Sequence, residues 1–107
     1  MQLRVSEAAA LAIIDQTNYY LQAADISVAS RWESAVDEAI RSLLNQPQRG
    51  AQCSFGDAAL SDLRWIMVRG FPRHMVFYRY LPAEQMILIV HVLHGARNLE
   101  ALLEREE

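Results

Sequence analysis

The chain has 107 residues, 52% of them apolar and 21% charged, with a formal net charge of −3. This predicts one ordinary folded domain with enough apolar surface for a core, and it excludes a disordered chain. No apolar run approaches the ~20 residues of a membrane-spanning helix, and the single cysteine, Cys53, excludes a disulfide framework and a cysteine metal cluster.

The start, Met1-Gln2-Leu3-Arg4-Val5, has no leader pattern and reads over 2–5 as a short strand. With the lone cysteine it gives the expectation of a reducing, cytoplasmic setting. Ser6 is a good N-cap, Glu7 suits the positive end of a helix, and Ala8-Ala9-Ala10 favour helix, so the first helix is predicted over 7–23. Leu11, Ile14, Asn18 and Leu21, widened by Ile13 and Tyr20, are its expected buried stripe. Asp25 or Ser27 starts a second helix. There Val28, Trp32, Val36, Ile40 and Leu43 recur at three-and-four spacing, opposite Arg31, Glu33, Asp37, Glu38 and Arg41. Burying those five side chains is worth on the order of 10 kcal/mol gross, which makes the stripe core. Pro47 disfavours helix at Gln46, and the short gap between helices implies an antiparallel hairpin.

Residues 47–61, punctuated by Gly50 and Gly56, read as a loop. Strands follow at 63–69, 73–81 and 86–93, joined by Gly70-Phe71-Pro72 and by Pro82-Ala83-Glu84-Gln85. Such short connections predict an antiparallel meander. Asn98 can cap a last short helix over 99–105. The expected fold class is therefore α+β: an N-terminal strand, an antiparallel helical hairpin packed on a mainly antiparallel sheet, a three-stranded meander and a short C-terminal helix. Both parities of the three strands are apolar, so both sheet faces need cover. One hairpin covers one face, and the expectation is that a second copy or a partner chain covers what remains of the other.

Charge is unevenly placed. Residues 1–62 hold eight acids against four arginines. Residues 63–97 hold only Glu84 against Arg64, Arg69, Arg73, Arg79 and Arg97, and the last ten hold four acids against Arg105. A local anion or acidic-peptide site fits this pattern, whereas broad contact with nucleic acid does not. Lysine is absent, so no lysine chemistry is available.

Four segments in order carry a family likeness: Leu43-Leu44-Asn45-Gln46-Pro47-Gln48-Arg49-Gly50, Leu63-Arg64, Phe71-Pro72-Arg73-His74-Met75-Val76-Phe77-Tyr78-Arg79, and Ile89-Val90-His91-Val92-Leu93-His94-Gly95-Ala96-Arg97-Asn98. With the strand, hairpin and meander order, nearly the whole chain resembles the RelE/ParE toxin superfamily, and ParE in particular. The resemblance implies a toxin of a type II toxin–antitoxin pair, neutralised by a cognate ParD-like antitoxin and acting on DNA gyrase without catalysis. It implies no cofactor, no direct DNA binding and no membrane association; a toxin dimer or a hetero-oligomer with the antitoxin remains open.

The rival readings are a RelE-like messenger RNA endoribonuclease and a ParE-like binding module without toxicity. A ribonuclease must activate a 2′-hydroxyl, stabilise the charged transition state and protonate the leaving oxygen. Arg64, Arg73, Arg79, His94 and Arg97 are the residues available for that work. For a binder, the target- and antitoxin-contacting candidates are Arg64, Arg69, Arg73, Arg79, His94 and Arg97. His91 and His94, three apart on a strand, are expected on opposite faces, so no metal pair is predicted. Cys53 has no basic neighbour in sequence to activate it.

Overall fold

The computed structural model describes residues 1–53 and 60–95, so the helix expected over 99–105 lies outside the described residues. Strand β1 (Gln2–Val5) leads through Ser6 into helix α1 (Glu7–Ala23). The Ser6 hydroxyl caps the helix by accepting from Ala9 N–H at 3.0 Å, and it donates to the carbonyl of Val90 at 2.7 Å, tying the cap to the sheet. Helix α2 (Ile26–Asn45) starts at Asp25, whose carboxylate accepts from Val28 N–H at 3.0 Å, and it stops before Gln46-Pro47. Trp32, Val36, Ile40 and Leu43 are buried as their spacing predicts, together with Ala29; Val28 is half-buried.

The sheet has the order β1-β5-β4-β3-β2, with β2 (Ala51–Gln52), β3 (Arg64–Val68), β4 (Phe71–Leu81) and β5 (Met86–His94). β1 runs parallel to β5, because the helical hairpin carries the chain back before the meander; the other pairings are antiparallel. β2 lies inside the segment expected to be a loop and pairs Ala51 with Trp65 and Gln52 with Arg64. Two residues are too few to give a period in sequence. β4 also begins earlier than expected. Phe71 pairs with Val68, and the reversal is made by Arg69-Gly70, with Gly70 at φ +83°, where a side chain would be strained.

Two features depart from the sequence reading in ways that matter below. The first is the orientation of α1. Its inward side is Ala9, Ala12, Ile13 and Tyr20, while Leu11, Ile14, Asn18 and Leu21 face solvent. Two stripes compete on this helix. The alanines win because they let α1 approach the sheet closely while Tyr20 reaches across to His74. The second is a bulge in β5, where Phe77 pairs with His91 but Tyr78 with Ile89. It re-phases the strand: Ile87 and Ile89 face the hairpin before it, Val92 after it. Val92 and Leu93 therefore exchange the faces that strict alternation assigns them.

The hairpin covers a core that includes Trp32, Leu43, Val76, Tyr78, Ile87 and Ile89. On the opposite face Leu60, Leu63, Phe77, Val90 and Leu93 form a second cluster, and these too are buried within the chain. Cys53, Trp65, Met75 and Leu88, packed against that cluster, stay half-buried. Among the described residues, no helix is long and apolar enough to cross a membrane.

Candidate functional site

The bulge and the β4–β5 register bring two histidines side by side at one end of the sheet. His74 pairs with His94, and their ring centroids are 4.6 Å apart. His74 is 3% exposed, the one buried polar residue among those described. Trp32 of α2 lies against its ring at 4.4 Å, and the Tyr20 hydroxyl of α1 meets its Nε2 at 3.0 Å. Phe71 closes the aromatic group, 5.4 Å from Trp32 and 5.6 Å from Tyr20. The five members come from four places in the fold: the last turns of α1, the second turn of α2, the start of β4 (Phe71 and His74) and the end of β5. Beside them opens a cavity of about 280 Å³, lined by Tyr20, Phe71, Arg73, His74 and His94.

Electrostatics fix the state of the inner histidine. Burial disfavours its charged form and the neighbouring His94 adds repulsion, so its pKa falls from 6.5 to about 4. His74 is therefore neutral at physiological pH, bonded to Tyr20 and packed on Trp32. His94 is the exposed member of the pair. His91 lines a separate cavity beside Glu7, Leu11 and Asp15 of α1, and its Nδ1 accepts from Val92 N–H at 2.9 Å. His91 and His94 thus do not lie on opposite faces; both sit on the helical side. No group of three or more metal-ligating side chains occurs among the described residues.

The arginines disperse. Arg64 donates to the carbonyls of Gly50 at 2.8 Å and Gln48 at 3.2 Å. It helps Tyr78 pin that loop: the buried phenol donates to Pro47 at 2.8 Å and accepts from Gly50 N–H at 2.9 Å. Burial raises the Tyr78 pKa, so the hydroxyl keeps the proton it donates. A Cβ at Gly50 would lie 2.6 Å from the Tyr78 oxygen, which is why the loop carries glycine there. The leucine-proline-glycine segment therefore has a structural role. Arg79 points to the other face and pairs with Asp62 at 3.2 Å. Arg69 lies with Met67 and Arg49 beside Glu38 of α2, around a cavity of about 270 Å³. Arg73 is exposed at the histidine cavity. Arg97 lies outside the described residues.

Of the sequence-selected residues that are described, then, only Arg73 and His94 meet. Arg79 is five residues from His74 along β4, and Arg64 pairs opposite Tyr78, four residues away, which puts them roughly 14–17 Å off at 3.4 Å per residue. Sequence reasoning passed over His74, Tyr20 and Phe71. One signal was available: His74 shares the parity of Val76 and Tyr78, so a polar residue falls where β4 turns inward. The thiol of Cys53 is half-buried, and burial pushes its pKa up to about 11.

Comparison with known proteins gives three findings. The family model described as ParE toxin of type II toxin–antitoxin system, parDE, matches residues 3–99. No curated protein sequence matches the chain. Similar solved structures include a chain of the chromosomal ParDE toxin–antitoxin system from P. aeruginosa, with a TM-score of 0.73 at 14% identity, covering 90% of this chain and 97% of that one. A chain of the intact E. coli RelBE toxin–antitoxin complex gives 0.55 at 14% identity, covering 90% and 98%. The isolated E. coli RelE toxin gives 0.55 at 13% identity, covering 97% and 96%.

Proposed function

The chain belongs to the ParE toxin family of type II toxin–antitoxin systems, and from that premise we propose that it acts by binding DNA gyrase, without catalysis, until a cognate ParD-like antitoxin neutralises it. The observation that supports the non-catalytic reading is the dispersal of most cationic groups among the described residues. A phosphoryl-transfer site needs its charges and its proton carrier around one phosphate. Here Arg64 is committed to the Gly50 loop, and Arg79 lies on the opposite face with Asp62. His74, the best-held imidazole, is neutral and enclosed by Trp32 and Tyr20. What the corner offers outward is a compact patch of Arg73, His94 and Phe71, suited to an acidic or aromatic element of a protein partner.

The antitoxin reading draws on the family and on neighbours solved within ParDE and RelBE assemblies. The ribonuclease reading draws on the same corner, since Arg73 and His94 do adjoin there. Induced expression, with DNA replication and transcript integrity followed in one culture, separates the two. Replication arrest with intact transcripts, relieved by co-expressing the neighbouring gene, is the expected result. Rapid transcript cleavage with continuing replication would replace this reading with the nuclease. Normal growth with folded protein present would leave only a binding module.

A further inference from the structure

The β4–β5 register holds two imidazoles within reach of one ion. The Gly95 N–H donates to the Arg73 carbonyl at 2.8 Å, so His74 and His94 form a non-hydrogen-bonded pair of the antiparallel ladder. Such pairs bring opposite side chains closest together. The two rings are 4.6 Å apart and inclined by 44°. Two imidazoles bound to one ion at ~2.1 Å put their ring centres roughly 4.5–5.2 Å apart, for angles at the ion from a right angle to tetrahedral. The strand pairing therefore supplies the spacing already. His94 is exposed, so its ring is free to turn a nitrogen toward the ion.

The inner donor is available as well. The His74 ring makes one hydrogen bond, between Nε2 and the Tyr20 hydroxyl. Among the described residues no buried side-chain nitrogen or oxygen lacks a partner, so the second nitrogen of His74, Nδ1, is not sealed in the core. Tyr20 suits an outer role: a ring that donates its Nε2–H to an oxygen presents the lone pair of Nδ1 and is held in orientation. Beside the pair lies the cavity of about 280 Å³, which has room for an ion and its water. Arg73 lines the same cavity and repels a bare cation; a carboxylate among the ion's ligands offsets that repulsion and pairs with the guanidinium. His91 stands apart, in the cavity with Glu7 and Asp15.

We propose that His74 and His94 form a two-histidine site for a divalent transition ion of the zinc class, whose remaining positions take water or an incoming carboxylate. Imidazole nitrogen favours zinc, copper and nickel, whereas magnesium and calcium take oxygen ligands. The site lies in the corner offered to a protein partner, yet it does not rest on the gyrase reading, and its test contains no gyrase.

The full chain, stripped with a chelator and exchanged into plain buffer, is titrated with zinc chloride by isothermal titration calorimetry and with nickel chloride by tryptophan fluorescence. Zinc is expected to bind. Nickel is expected to quench Trp32, which lies 4.4 Å from His74, while Trp65 on the opposite sheet face keeps emitting, so quenching stops short of completion. Magnesium at the same concentration is expected to do neither. His94→Ala changes an exposed position, so it is expected to keep the circular dichroism spectrum and to weaken zinc and nickel at least about tenfold, because a chelate becomes a single donor. His91→Ala is expected to bind as the wild type does. Binding unchanged in His94→Ala, binding weakened as much in His91→Ala, or no binding of either metal by the wild type would overturn the proposal.

Discussion

Acid should weaken this fold through His74 in particular. In the unfolded chain this imidazole takes a proton near pH 6.5, and in the folded chain only near 4. Between those values the unfolded state holds more protons, so stability rises with pH and is lost as pH falls. At about 1.4 kcal/mol per pH unit, the full interval costs about 3 kcal/mol, a large share of a small domain's stability. The cause lies in its packing: a proton on His74 would place charge against Trp32, beside His94 and away from water. Urea unfolding at pH 7.5, 6.0, 5.0 and 4.5 measures the effect. The comparison is His74→Gln, which keeps a polar group near Tyr20 and does not titrate. The wild type should lose about 2.5 kcal/mol more than the variant across this range, which stops short of the folded-state value, equivalent to a Tm difference on the order of 10 °C. Parallel pH profiles for the two proteins would refute the reasoning.

Tyr78→Phe removes the acceptor of buried Gly50 N–H and the donor to Pro47, and should cost about 1–3 kcal/mol in chemical unfolding. Gly50→Ala should lower Tm further than Gly70→Ala lowers it through backbone strain alone, since its Cβ meets Tyr78 at 2.6 Å and the Trp65 carbonyl at 3.0 Å, whereas Gly70 has nothing within 4 Å. Trp32→Ala should cost about 3–5 kcal/mol, measured the same way. Cys53, half-buried with its pKa near 11, should react with a thiol reagent at pH 8 far more slowly than the same thiol in urea.

Much of the fold was readable because its signals were local. Ser6 and Asp25 cap the helices as their side chains predict, Pro47 ends α2, and the α2 stripe is buried at the predicted spacing. α1 was misread because it is apolar on two sides, and period alone cannot say which side is buried. The β5 bulge left no mark in the pattern, yet it decides where His94 points. Without the bulge, alternation would send His94 to the face of Leu88 and Val90, away from Trp32. The site was legible only in part for the same reason. Arg73 and His94 were selected as charged residues near strand ends, whereas their meeting with Tyr20 and His74 depends on register and on the rotation of α1.

Gyrase inhibition without catalysis is tested most directly with the purified chain added to DNA gyrase in a supercoiling reaction, with an intact messenger RNA in the same tube. The account predicts that supercoiling is lost at near-equimolar toxin while the RNA stays full length. Undiminished supercoiling at a large excess of folded toxin, together with shortened RNA, would contradict it.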